Sequence, residues 1–130
     1  MKSRTIGQIF VAPTDVVLSN LDVVQPDLVF VSSNKASIIT MQNIQGPPDL
    51  LIEIISESTR KTDEIIKRKL YERYGVPEYW IVDPELETVK VYRMTLEGYS
   101  RVAELSHEAN NTVSTPLLPE LSIPLRDLFK

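Results

Sequence analysis

The feature that most constrains the fold is an apolar run interrupted by two acids, in the stretch GPPDLLIEIISES at residues 46–58. The opening Gly-Pro-Pro breaks any preceding element, and the run DLLIEIIS is typical of a strand buried on both faces of a sheet. Asp49 and Glu53 lie within it, although a buried ionised carboxylate is costly unless a metal, a cation or several hydrogen bonds compensate it. The fold must therefore supply such compensation around its central strand.

Composition indicates one compact domain. The 130 residues, of which 42% are hydrophobic, suit a single core. Cysteine is absent, which excludes disulfides, zinc–thiolate sites and cysteine nucleophiles and favours a reducing cytoplasm. No apolar run is long enough to cross a bilayer, so we expect no membrane partner. The net charge of −4 weighs mildly against non-specific coating of nucleic acid, although basic residues cluster between positions 60 and 73.

The order of the predicted elements indicates an α+β sandwich around a mixed sheet. Strands are predicted over residues 8–12, 15–19, 23–33, 49–56, 76–84, 87–94 and 99–105, before an extended tail and a short terminal helix, LRDLF. Residues 34–46 indicate a loop with room for one helical turn. The segment TRKTDEIIKRKLYERYG predicts the main helix, with an apolar face of Ile66, Leu70 and Tyr74 and with Gly75 just past its end.

Most catalytic schemes are excluded by the residue types present. The only histidine, His107, lies in a polar stretch that predicts a surface loop, and no strand–turn–helix serine elbow is present. The four glycines are isolated from one another, so phosphate-cradling glycine loops are excluded as well. The carboxylates remain as the candidates for chemistry.

Glu53 pairs better with Asp27 than with Asp49. Asp49 and Glu53 share one face of a strand but lie roughly 13 Å apart at about 3.3 Å per residue, too far to chelate one ion directly. Asp27 opens the preceding apolar strand, and neighbouring strands lie only about 4.8 Å apart. Two carboxylates that meet across a sheet form a hard-oxygen site suited to Mg²⁺, which keeps several waters and accepts substrate phosphate as a ligand.

Purely structural roles stay open for the same residues. An Asp that follows a Pro often fills a turn or the start of a strand, which would account for Asp27 and Asp49. Glu53 would then need a cationic partner, and Lys67 or Lys69 on the following helix could reach it as a buried structural salt bridge. Charged runs on helices are, however, usually solvated faces.

As a combination, these motifs resemble the Uma-type restriction endonucleases of the PD-(D/E)xK nuclease superfamily. The resemblance runs from about Asp22 to Arg93, with a weaker echo in LPELSIPLRDLF. It is carried by QPDLVFV, PPDLLIEIISEST, a D-x-x-x-K-x-x-x-Y helix (Asp63, Lys67, Tyr71), YGVPEYWIVDP and VKVYR. It implies a restriction-endonuclease-like core that cleaves phosphodiester bonds in DNA with Mg²⁺ or Mn²⁺.

The resemblance also implies roles for individual residues. Asp27 and Glu53 would be the two metal-binding acids, assisted by a backbone carbonyl near Ile54. The superfamily lysine normally follows the second acid by two residues, a position that Ile55 occupies here. Lys67 matches the families in which this lysine has moved to the next helix, where it would position the attacking water or stabilise developing charge.

Supporting roles follow from the same resemblance. Asp49 would be a support or second-metal residue, Asp63 a contact at the helix N-terminus that orients Lys67, and Lys69 the other candidate for the catalytic lysine. We expect one domain over residues 1–130 that lacks the N-terminal helical part usual in the family. A truncated member could be a catalytically inactive binding or assembly module, and exposed apolar surface left by the missing part would favour a homodimer.

Overall fold

The computed structural model describes residues 6–55 and 60–129, and the side chains of its first α-helix from residue 64 onward. The strands of these residues are, in chain order, β1 Gly7–Val11, β2 Val16–Val17, β3 Val23–Val24, β4 Leu28–Ser32, β5 Ile44–Gln45, β6 Leu50–Ile54, β7 Glu78–Asp83, β8 Thr88–Thr95, β9 Gly98–Ser106, β10 Thr112–Thr115 and β11 Leu118–Pro124. The helices are a 3-10 helix at Ser33–Ile38, α1 at Arg60–Arg73 and α2 at Leu125–Leu128. The α+β class is as predicted.

The largest sheet has the strand order β1-β4-β6-β7-β8-β9. Strands β6 and β7 are parallel and are joined through α1, while the other neighbours in this sheet pair antiparallel. The sheet is therefore mixed, as predicted, with the acid-containing apolar run at β6. Strand β2 lies between β3 and β5 in a small second sheet, and β10 pairs with β11 in a hairpin.

Both faces of the large sheet are covered, which explains why β6 is apolar on both sides. The helix-side core, under α1 and the small second sheet, consists of Val16, Leu18, Val29, Val31, Ile44, Leu51, Ile55, Tyr71, Val76, Tyr79, Ile81 and Tyr92. The far-side core, under the β10–β11 hairpin and α2, consists of Phe30, Leu50, Trp80, Val82, Val89, Val91, Val113 and Leu125. Every side chain of β7 is thus removed from water, and in β6 only Ile54, at the end of the strand, is exposed.

The helix α1 ends as its sequence predicts and is attached to the sheet there. Gly75 has a φ of +73°, and the Val76 amide donates to the Tyr71 carbonyl at 3.1 Å, which is the hydrogen bond of a Schellman cap. Gly98, in the β8–β9 turn, has a φ of +107° and leaves room for the carboxylate of Glu72. That carboxylate accepts a hydrogen bond from the Tyr99 amide at 2.6 Å and ties α1 to β9.

The predicted apolar face of α1 is wrong in one position. Ile66 is 58% exposed, whereas Tyr71 is completely buried and Glu64 and Lys67 turn toward the sheet. The cause lies in the surface beneath the helix, because that part of the sheet presents charged groups, including Glu53, that require partners of opposite charge. The helix therefore turns Glu64 and Lys67 toward the sheet, and Ile66 is left in solvent.

Elsewhere the predicted strands are confirmed, with limits that differ from the predicted ones by one or more residues. The segment 23–33 splits at Pro26 into β3 and β4, so this proline precedes the true start of the longer strand. The predicted loop at 34–46 contains a 3-10 helix and the short β5. The extended tail forms the β10–β11 hairpin before α2. Within the described residues, no helix combines the length and the apolar character needed to span a membrane.

Candidate active site

The structure brings Asp27 and Glu53 together at one end of the β4–β6 pair. The register Leu28–Ile52 places Asp27 opposite Glu53 one step further along the two strands. Asp27 Oδ2 accepts a hydrogen bond from the Ile54 amide at 2.6 Å. The backbone pairing of β4 with β6 ends before Ile54, whose register partner would be Pro26. The Asp27 side chain therefore accepts the hydrogen bond of the Ile54 amide in place of a backbone carbonyl.

Glu53 is 8% exposed, and its carboxylate is contacted from the side of α1. Its Oε2 accepts hydrogen bonds from the Tyr71 hydroxyl at 2.5 Å and from the Lys67 ammonium at 3.2 Å. Burial raises the pKa of Glu53 above its ordinary value, because removal from water disfavours the charged form. The hydrogen bonds from Tyr71 and Lys67 act in the opposite direction, and the nearby charge of Asp27 adds to the rise in pKa.

Of the two candidate lysines, Lys67 is the one that reaches the acid. Its side chain is 29% exposed, so the ammonium contacts Glu53 while remaining accessible from solvent. Lys69 is exposed and makes no contact with Asp27 or Glu53 in the described part of the chain. Asp63 lies in the first turn of α1, and its side chain falls outside the described residues, as does the role predicted for it.

A second ion pair, Lys90–Glu64, lies near Glu53 on the same face of the sheet. Glu53 pairs with Ile81, and Ile81 pairs with Lys90, which places Lys90 two strands from Glu53 on the helix side. The Lys90 ammonium contacts Glu64 of α1 at 2.7 Å. The middle of α1, from Glu64 to Lys67, is therefore attached to the sheet by two neighbouring ion pairs, Glu53–Lys67 and Lys90–Glu64.

A cluster of tyrosines packs in the helix-side core next to these ion pairs. Tyr71 packs edge-on against Tyr79 with ring centroids 4.9 Å apart, and Tyr79 stacks with Tyr92 and Tyr99 at 6.3 and 6.5 Å. The Arg68 guanidinium lies 5.5 Å from the Tyr92 ring centroid, a cation–π distance. Burial, followed by the charge of Glu53, raises the pKa of both Tyr71 and Tyr79, so both remain protonated phenols.

Asp49 lies at the opposite end of β6 from Glu53 and has its own partners. Its Oδ2 accepts a hydrogen bond from the Ser32 amide at 2.5 Å, and its Oδ1 lies 4.0 Å from the Lys35 ammonium. The four-residue separation along an extended strand corresponds to roughly 13 Å. Asp49 thus joins β6 to the end of β4 and to the 3-10 helix, and the structure does not bring it to Glu53.

The donor set at Asp27 and Glu53 fits a hard divalent cation that keeps most of its waters. Within the described residues, hydrogen bonds occupy one oxygen of each carboxylate and leave the other oxygen available as a ligand. No group of three or more Asp, Glu or His side chains suited to hold a metal occurs in that part of the chain. Two carboxylates plus water are the kind of coordination that Mg²⁺ uses, since it rarely requires an all-protein cage.

Comparison with known proteins identifies the family. A family model described as "Uma2: Putative restriction endonuclease" matches residues 1–126. The chain belongs to the Uma2 family. The family match extends beyond the motifs between Asp22 and Arg93, and it supports a nuclease function for this Uma2 protein.

A solved structure shares the fold of this Uma2 chain. The protein, from Anabaena variabilis ATCC 29413, is described as "a putative nuclease belonging to DUF820". It is 23% identical, with a TM-score of 0.75 over 96% of this chain and 69% of the other. At this identity the likeness establishes the fold, which is the restriction-endonuclease-like α+β core predicted from the motifs. No curated protein sequence matched the chain.

Ile55 occupies the strand position at which the superfamily pattern has a lysine. Its side chain is buried in the helix-side core, and its amide donates to the Val82 carbonyl at 3.0 Å. A lysine at this position would place an ammonium in the apolar core below α1. The ammonium that contacts Glu53 comes instead from Lys67, on the helix that covers the strand.

Two ion pairs, one beside the site and one on the far side of the sheet, were not assigned from the sequence. The first is the Lys90–Glu64 pair. The alternating pattern of β8 predicts that Lys90 faces solvent, because the sequence does not show that α1 covers this face of the sheet. The second is the pair of Glu78, which is 2% exposed on the far side and accepts hydrogen bonds from Trp80 Nε1 at 2.6 Å and Arg93 Nε at 3.0 Å. An acid directly beside aromatic residues in a strand is the signal that could have revealed Glu78.

Proposed function

We propose that this protein is a Mg²⁺-dependent endonuclease that hydrolyses phosphodiester bonds in DNA, with Mn²⁺ as an alternative ion. The observation that carries the proposal is the meeting of three groups. Asp27 lies opposite Glu53 across β4 and β6, and the Lys67 ammonium approaches Glu53 from α1 at 3.2 Å. Membership of the Uma2 family and the nuclease-type fold support the same reaction class.

The ion would be held by the Asp27 and Glu53 carboxylates and by a backbone carbonyl near Ile54. The Ile54 amide already hydrogen-bonds Asp27 Oδ2, which fixes this carboxylate at the end of the β6 strand. When bound, the ion would supply Lewis-acid activation of the scissile phosphate and of a water molecule. Ligands from two adjacent strands give this site a rigid base, because both strands lie inside the sheet.

Lys67 would act on the nucleophile or on the developing negative charge. A lysine ammonium carries three donors, so Lys67 can keep its contact with Glu53 and still donate to a water or a phosphate oxygen. Its partial exposure leaves it open to a substrate that approaches from solvent. Electrostatic stabilisation of this kind is typically the largest catalytic contribution at a phosphoryl centre.

The test is metal-dependent cleavage of plasmid DNA by D27N and E53Q. Each substitution removes one ligand charge while it preserves the size of the side chain and its capacity to accept a hydrogen bond. We expect each variant to lose more than about 100-fold in cleavage rate, since the ion would lose a direct ligand. E97Q, which removes the same charge from the exposed β8–β9 turn, is the matched control and should cleave like the wild type. Wild-type rates in D27N and E53Q would refute the proposal.

One observation favours a second candidate, a nuclease-derived binding module without activity. The Glu53–Lys67 pair is closed in the structure, and a closed pair is also what a purely structural salt bridge requires. Calorimetric titration with Mn²⁺ separates the two candidates. A nuclease must bind the ion, and D27N must weaken that binding, whereas a module that uses Glu53 only as a structural partner shows no heat at this site.

A further inference from the structure

One oxygen of Glu53 has two donors. Oε2 accepts the Tyr71 hydroxyl at 2.5 Å as well as the Lys67 ammonium at 3.2 Å, and the phenol is the closer of the two. Within the described residues no donor reaches Oε1, so the two oxygens of this carboxylate are in different environments. A carboxylate that only needed a cation for compensation would be satisfied by Lys67 alone.

Tyr71 is held so that its hydroxyl cannot leave Glu53 easily. The side chain is completely buried, and its ring packs edge-on against Tyr79 at 4.9 Å between centroids. Tyr71 also lies at the C-terminal end of α1, where its carbonyl accepts the Val76 amide in the helix cap. Both the ring and the backbone of this residue are therefore fixed, unlike the long and partly exposed side chain of Lys67.

The other tyrosines of the cluster make different contacts. Tyr99 donates to the Val76 carbonyl at 2.7 Å, and the Tyr92 hydroxyl accepts a hydrogen bond from Arg68 at 3.4 Å. Both rings pack against Tyr79 in the same helix-side core. Among the hydrogen bonds of the described residues, only that of Tyr71 joins this aromatic cluster to an acid of the site.

We propose that Tyr71 is a positioning residue that fixes the Glu53 carboxylate, holding Oε2 so that Oε1 is the oxygen offered to the ion. The identity of the ion rests on the proposed function, whereas the orientation of Glu53 does not depend on it. In this arrangement Tyr71 and Lys67, on neighbouring turns of α1, have different roles. Tyr71 keeps Oε2 occupied, and Lys67 is thereby able to turn toward water or phosphate without leaving a buried carboxylate oxygen unpaired.

The experiment compares Y71F with Y99F in Mn²⁺ titration calorimetry on the full chain. Each variant loses one phenol hydroxyl from the same aromatic cluster, but only Y71F loses a hydrogen bond to Glu53. Removal of a group that orients a metal ligand typically costs about 10–100-fold in affinity, so we expect a Kd at least about tenfold weaker for Y71F and little changed for Y99F. Equal weakening in both variants, or wild-type affinity in Y71F, would overturn the proposal.

A second measurement tests the orientation of Glu53 without any metal. The carboxyl ¹³C resonance of Glu53 is recorded by NMR in the metal-free wild type, Y71F and Y99F. We expect Y71F to shift this resonance and Y99F to leave it in place, and an unshifted resonance in Y71F would overturn the positioning role. If the wild type binds no Mn²⁺ but Y71F still shifts the resonance, the proposed metal site fails and the positioning of Glu53 by Tyr71 stands.

Discussion

The ionised form of Glu53, which its proposed role as a metal ligand requires, destabilises the folded protein. Its carboxylate is buried beside a second acid, Asp27, and burial outweighs the two hydrogen bonds that favour the charged form. Residues with this property cluster at functional sites, since a site that must bind an ion or substrate cannot also be fully satisfied in its absence. Lys67 and Tyr71 reduce the cost of the charge without removing it.

The pH dependence of stability should reveal this cost. The pKa of folded Glu53 lies above the ordinary value of 4.5, so the folded state holds the proton more tightly than the unfolded state does. The resulting stability is complete below that ordinary value and is lost as the pH rises through the folded pKa. E53Q cannot ionise, so its melting temperature relative to that of the wild type should increase from about pH 4 to about pH 8 in metal-free buffer. A difference that stays flat or decreases would contradict the assignment.

At the scale of the elements, the middle of α1 is attached to the sheet by ion pairs, and its C-terminal end is attached by aromatic packing and hydrogen bonds. Glu64 and Lys67, which form the ion pairs, precede Tyr71, which packs in the helix-side core. An amphipathic helix normally buries an apolar stripe along its whole length. In α1, the charged residues Glu64 and Lys67 replace apolar residues on the buried face where the helix covers Glu53.

Two alanine substitutions test this description of α1. Ile66 is largely exposed, and alanine is the best helix former, so I66A should change the free energy of unfolding by less than about 0.5 kcal/mol. Leu70 packs against the helix-side core and is partly buried. L70A should cost about 1–2 kcal/mol, below the 2–5 kcal/mol typical of a fully buried leucine. Urea denaturation measures both values, and a larger loss for I66A than for L70A would refute the orientation of the helix.

Local patterns predicted most of the elements but not the way α1 faces the sheet. The apolar run at β6, the breaker before it and Gly75 after α1 each act over a few residues, and all are found where the sequence places them. Asp27 could be matched with Glu53 because strand spacing is nearly constant. Ile66 was misplaced because apolar periodicity identifies the buried face only when the opposing surface is apolar, and that surface depends on strands distant in sequence.

At the scale of the whole molecule, the residues of the proposed site lie on one face of the large sheet, and a mainly structural ion pair lies on the other. Asp27, Glu53, Lys67 and Lys90 are grouped at the helix side, together with the tyrosine cluster. The far side carries the ion pair of buried Glu78 with partly exposed Arg93, and a core closed by the β10–β11 hairpin. Glu78 could not be assigned from the sequence because its partner Arg93 lies on the next strand, and only the register of β7 with β8 brings them opposite each other.

This separation predicts that the far side affects stability and not cleavage. R93M leaves the carboxylate of Glu78, which is 2% exposed, without its cation and should cost about 2–4 kcal/mol in the free energy of unfolding. R101M breaks the Arg101–Glu104 pair, whose side chains are about half exposed, and should cost less than about 1 kcal/mol. Urea denaturation gives the two values. Folded R93M should cleave DNA at the wild-type rate, and a selective loss of cleavage without a loss of stability would contradict the division between the faces.

The division between the faces also separates the chromophores of the protein. The single tryptophan, Trp80, lies in the far-side core, and all five tyrosines pack in or against the helix-side core. Trp80 emission therefore follows the integrity of the far side, whereas the tyrosine part of the absorbance follows the helix-side core. Selective excitation of Trp80 and difference absorbance of the tyrosines can therefore report on the two faces of the sheet, with no label attached.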